Sequence, residues 1–116
     1  MGQEQRPFPQ YRFRMERMLL DSLYELICRI LERPELYIGR PSLERLYAFI
    51  CGFLYQNSAV ETGCLDGFNE YIAKCYGIQS DHNWASIIQF FSNGEESAFA
   101  CFKEHFYKFN SIRSEK

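Results

Sequence analysis

Phe99, Phe102, Phe106 and Phe109 recur at intervals of three, four and three residues near the end of a 116-residue chain. At 3.6 residues per turn, this spacing puts all four rings on one face of a helix. A strand would split them between its two faces. The stretch begins at Glu95-Glu96, acids suited to the positive end of a helix dipole, and basic residues gather toward its end. A face this aromatic reads as core before it reads as interface, and burying it requires other elements packed across it.

The rest of the chain supplies elements with the same periodicity. Met15, Met18, Leu19, Leu23, Leu26, Ile27, Ile30 and Leu31 mark a first helix. It should stop near Arg33, because Pro34 disfavours helix at the residue before it and breaks the hydrogen-bond ladder. Pro34 to Pro41, with Gly39, is expected to be a connector. Ser42 is a suitable N-cap for a second helix, with Glu44 in its first turn. Leu43, Leu46, Tyr47, Phe49, Ile50, Phe53 and Leu54 fill most of that helix's circumference, so it is expected to lie centrally, with Gly52 permitting a close neighbour.

Asp66 is expected to cap a third helix that runs to about Tyr76, with Phe68, Tyr71, Ile72 and Cys75 as its stripe and Gly77 ending it in a left-handed turn. Ser80 or Asp81 would cap a fourth, in which Trp84, Ile87, Ile88 and Phe91 share a face, closed by Asn93-Gly94. The fold class is therefore all-α: a compact bundle of about five helices. Residues 1–13 form an expected flexible tail, 14–112 a single domain, and 113–116 a second short tail. A chain of this length buries roughly two-thirds of the surface its unfolded form exposes, enough for one core without metals or disulfides.

Chemistry is sparse. Cys28, Cys51, Cys64, Cys75 and Cys101 are odd in number, form no C-x-x-C, and sit mostly among apolar residues. They read as buried free thiols in a reducing, cytoplasmic setting. With only His82 and His105 available, no metal site is expected. Motifs for serine hydrolases, zinc proteases, phosphate-binding loops and dinucleotide-binding turns are missing, so no catalytic residue and no cofactor is assigned. Cys101 and His105 stand four apart on one helical face, but the surrounding Ala-Phe-Ala-Cys-Phe raises a thiol pKa, which weakens a catalytic pairing. Arg33-Pro34-Glu35-Leu36-Tyr37-Ile38-Gly39 resembles the R-P-x-M-Y-I-G segment of gyrase-type ATPase domains. The remaining nucleotide motifs of those domains are missing, and the chain is too short for one. The likeness reads as a helix-ending turn.

Charge is unevenly placed. The net is −2, which argues against a generic nucleic-acid binder. Residues 61–100 carry six acids against Lys74, net −5, whereas both ends are slightly basic. Several of these acids stand at helix starts, where capping and solvation explain them; the functional reading is an acidic docking patch for a basic protein. Glu61, Asp66, Glu70, Asp81, Glu95 and Glu96 are its candidate partner-binding residues. Tyr71 is a candidate aromatic anchor, with Tyr76 beside it; Trp84 reads as core first and as a candidate anchor second, because Asp81, His82 and Asn83 beside it allow partial exposure. No run is long enough to span a membrane, and the start lacks a secretory pattern.

Across about residues 15–110 one longer series stands out: the Arg33–Gly39 segment, then Leu43-x-x-Leu46-x-Ala48-Phe49-Ile50-x-Gly52-Phe53, then Asp66-Gly67-Phe68-x-x-Tyr71-Ile72-Ala73, then His82-x-Trp84-x-x-Ile87-Ile88-x-Phe90-Phe91. It resembles small bacterial cytosolic immunity proteins of contact-dependent growth inhibition and related polymorphic toxin systems. The resemblance implies a stoichiometric inhibitor, not an enzyme, that neutralises a cognate toxin protein, often a nuclease with a basic cleft. The chain is expected to be a monomer or weak homodimer, with no direct contact to nucleic acid or membrane. A helical adaptor or regulatory module would use the same surface chemistry, and a small enzyme with an unrecognised acid or thiol is the third reading.

Overall fold

The computed structural model describes residues 23–57, 62–79 and 81–114. Among them are six α-helices and no strand: α1 Leu23–Glu32, α2 Pro34–Tyr37, α3 Leu43–Gln56, α4 Phe68–Cys75, α5 Trp84–Phe90 and α6 Glu95–Ser114. A 3-10 turn, Gly63–Leu65, precedes α4. The all-α bundle expected from periodicity is present. The extra helix is α2, a single turn in the expected connector. Pro34 starts it because its fixed φ suits the first helical position, where no N–H donor is needed.

Local signals set several boundaries. α1 ends at Glu32, one residue before Arg33-Pro34. Ser42 caps α3, its hydroxyl accepting from the Arg45 N–H at 3.2 Å. Gly77 takes a φ of 65° after α4. Its N–H donates to the Lys74 carbonyl and that of Ile78 to the Ala73 carbonyl, the paired bonds of a Schellman ending. The expected helix segment 15–22, the 13/14 domain boundary and Ser80 lie outside the described residues.

Two expected caps are corrected. Asp66 does not cap α4. Its carboxylate accepts from Thr62 Oγ1 at 3.3 Å, and Gly67 is the cap, with a φ of 81°. The chain leaves the 3-10 turn through a left-handed conformation that glycine adopts without a Cβ penalty. Asp81 does not cap α5. Asn83 does, its Oδ1 accepting from the Ser86 N–H at 2.8 Å. At the far end, α6 continues through Ser114, past the expected limit at 112. Arg113 donates to the Gly63 carbonyl and lies over the Phe109 ring, 5.6 Å from its centroid, while Asn110 reaches the Cys64 carbonyl at 3.3 Å. These bonds tie the last turns of α6 to the 3-10 turn.

α6 is the spine of the bundle. Phe99, Phe102, Phe106 and Phe109 are all buried, and α3, α4 and α5 each pack against this helix. α4 runs antiparallel to α6: the Tyr71 ring is 5.0 Å from Phe109, and Tyr76 at the other end is 5.6 Å from His105. α1 contributes Leu23, Ile27, Ile30 and Leu31 to the core, and its Tyr24 stacks on Phe106 at 5.5 Å. Phe68 is the hub, with ring centroids 5.2–6.4 Å from Tyr71, Trp84, Phe102, Phe106 and Phe109.

α3 is less enclosed than its apolar circumference implies. Only Leu43, Leu46 and Ile50 are fully buried; Phe49, Phe53 and Leu54 are half-buried. Gly52 admits no close neighbour: it is exposed, and an added Cβ would meet nothing within 4 Å. The stripe of α4 also shortens, since Phe68 and Ile72 are buried while Cys75 is exposed.

Candidate partner-binding surface

Trp84 is a core residue and not a surface anchor. It is 6% exposed and stacks on Phe102 at 4.8 Å, with Phe68 and Tyr47 edge-on. Its backbone N–H donates to Asn69 Oδ1 at 2.8 Å, which fastens the start of α5 to α4. Tyr71 is half-buried, with its ring against Phe68 and Phe109; burial, then the neighbouring Cys75 thiol, raises its hydroxyl pKa. It offers an edge to solvent and little more.

The acids do not converge. Asp66 and Glu70 stand at the start of α4, where Gly67 approaches the Phe109 ring. Glu95 and Glu96 open α6, fourteen and thirteen residues before Phe109, a separation of about 20 Å along the helix. Asp81 is exposed in the bend before α5, and Glu61 lies outside the described residues. Glu95 is already engaged. Hydrogen bonding from Ser42, then from Arg40 at 3.2 Å, holds its carboxyl below the usual range. It bridges the starts of α3 and α6. A single acidic patch is therefore replaced by acids distributed over both ends of the bundle.

Burial pushes Cys64 up to about 12, and burial also raises Cys28, which lies within hydrogen-bonding reach of Tyr24 and Tyr107. The Tyr107 hydroxyl is itself raised to about 12, by burial first and Cys28 second. His105 Nε2 faces the Tyr76 hydroxyl at 3.2 Å, and burial lowers its pKa. Of the cysteines expected to be mostly buried thiols, only Cys64 is fully buried; Cys28 and Cys101 are half-buried, and Cys51 and Cys75 are exposed. Among the described residues no group of three His, Cys, Asp or Glu side chains is placed to hold a metal ion. No described helix is long and apolar enough to cross a membrane.

The feature that sequence patterning missed is at the end of α5. Phe90 is 81% exposed and Phe91 47%, whereas the buried stripe of the same helix is Trp84, Ile87 and Ile88. Phe91 was expected on that stripe. The helix ends at Phe90, so Phe91 is its cap and turns outward, stacking on Tyr76 at 4.8 Å with planes 11° apart. Phe90 stands edge-on to Phe91 at 5.1 Å. Ile78, His82, Ser86 and Ile87 complete a groove of about 430 Å³ around these two rings. Its backing is rigid: Phe91 rests on Tyr76, and Tyr76 on His105 of α6. The available signal was the helical phase of Phe90, well off the Trp84–Ile88 stripe at 100° per residue.

Other exposed apolar side chains lack this setting. Tyr55 is exposed with no ring partner among the described residues, and Leu36 with Tyr37 shares its cleft with Arg29, Glu32 and Arg33. No family model, curated protein or solved structure matches this chain.

Proposed function

We propose that this chain is a non-catalytic binding protein that neutralises a bacterial toxin domain, of the nuclease kind with a basic surface, by forming a one-to-one complex in the cytoplasm. The observation that supports a binding role is the exposed Phe90–Phe91 pair. Every other described phenylalanine is buried or half-buried, and two adjacent exposed rings form an apolar patch of the kind that marks a contact surface. Aromatic side chains on a rigid backing are the typical anchors of a protein interface. The toxin assignment draws on the resemblance of residues 15–110 to immunity proteins.

The test is growth protection. Cells that produce this chain together with the toxin domain encoded beside it are expected to survive, and the two purified proteins to form a stoichiometric complex by native mass spectrometry. Survival no better than with an empty vector removes the neutralisation reading. A stable complex with no protection supports a regulatory adaptor instead.

A further inference from the structure

We infer that residues 15–22 of this chain dock on a groove between the start of α1 and the last two turns of α6, with Leu19 and Leu20 against the Tyr24 and Tyr107 rings, an intramolecular contact independent of the binding role proposed above. The groove is about 600 Å³ and is lined by Tyr24, Tyr107, Asn110, Ser111 and Arg113. Its aromatic side is open: Tyr24 is 39% exposed although its ring stacks on Phe106. Tyrosine rings of this kind offer apolar area to an aliphatic side chain and keep a polar tip for water.

The course of the chain identifies the occupant. Tyr24 is the second residue of α1, so the chain that arrives at Leu23 comes in at the edge of the groove. Twenty-two residues precede Leu23. Among them the apolar spacing of α1 continues: Leu19 stands four positions before the buried Leu23, and Leu20 four before Tyr24, the interval that aligns side chains on one helical face. Charge agrees with this occupant. Arg113 is the charged residue of the lining; one of its N–H groups goes to the Gly63 carbonyl, and it has no carboxylate partner among the described residues. Residues 15–22 carry Glu16 and Asp21 against Arg17, net −1. Tethering separates this segment from any other molecule. Joined at the groove's edge, it meets the two rings at an effective concentration on the order of mM, and a separate partner or a second copy has to displace it. Cys28 reports the contact. Its half-buried thiol lies within hydrogen-bonding reach of both Tyr24 and Tyr107, so a segment seated on those rings screens it from solvent.

Two measurements on the full-length chain test the contact. In methyl-labelled protein, nuclear Overhauser effects are expected between the Leu19 or Leu20 methyls and the Tyr107 ring protons. The double variant L19S/L20S should then react with iodoacetamide at Cys28 several-fold faster than the wild-type chain, while Cys51 and Cys75, already exposed, keep their rates. The control F8S/F13S, changed upstream of the docked stretch, should leave Cys28 at its wild-type rate. Absence of any Leu19 or Leu20 contact to Tyr107 overturns the inference, and so does an unchanged Cys28 rate in a folded L19S/L20S. Contacts that appear only between labelled and unlabelled copies in a mixed sample overturn it as well, because a second copy then fills the groove. Labelling of the buried Cys64 in native L19S/L20S would show that this variant has lost its fold. The wild-type methyl-to-ring contacts then decide the outcome by themselves.

Discussion

The Tyr76 hydroxyl lies 3.2 Å from His105 Nε2, joining the end of α4 to the middle of α6. Burial is the main cause of the lowered His105 pKa; Lys108 adds to it and Glu104 opposes it. The folded state therefore resists a proton that the unfolded chain accepts. Above the unfolded value of about 6.5 the two states are both neutral and the histidine has no effect on stability. As pH falls below that value the unfolded chain gains the proton first, and stability declines until the folded value is passed. The urea midpoint of the wild-type chain should drop between about pH 7.5 and pH 5.5 more steeply than that of His105→Gln. Parallel pH profiles would show that His105 is not the group responsible.

Gly52 sits inside α3 with helical φ and open space where a Cβ would point. Alanine at this position should raise stability by about 0.5–1 kcal/mol, mostly by restricting the unfolded chain. A higher urea midpoint with an unchanged slope is the expected result. A lower midpoint would mean that the position packs against a neighbour after all.

Phe68 is fully buried between α4, α5 and α6 and touches five aromatic rings. Phe68→Ala should cost about 3–5 kcal/mol, a large share of the stability of a single small domain. Phe68→Leu should retain the fold with a smaller loss. Denaturant unfolding of both variants checks this; an alanine variant within about 1 kcal/mol of wild type would rule out Phe68 as the hub.

Thiol labelling reads the burial map directly. Cys51 and Cys75 are exposed, and burial holds Cys64 at about 12. Iodoacetamide near neutral pH should modify Cys51 and Cys75 in the native protein and reach Cys64 only after denaturation, because the thiolate is the reacting form. Peptide mass mapping distinguishes the sites. Native labelling of Cys64 at the rate of Cys75 would contradict the placement of the 3-10 turn against α6.

The sequence by itself determined whatever depends on a few neighbouring residues. The phenylalanine ladder of α6, the stop before Pro34, the Ser42 cap and the left-handed Gly77 ending each follow from helical period or from one backbone preference, and each stands in the structure as read. Asp66 and Asp81 do not cap their helices because several polar residues compete near each helix start, and the winner depends on what its side chain meets: Thr62 for Asp66, the Ser86 amide for Asn83. Only the tertiary structure decided which apolar residues remain in water. Trp84 and Phe90 lie six positions apart on one short helix, yet α4 and α6 close over the first and leave the second uncovered. The same packing separated the acids that composition had grouped, since α6 is a rigid rod that carries its two ends about 30 Å apart. Local rules fix the elements; the distances between their side chains arise only when those elements pack.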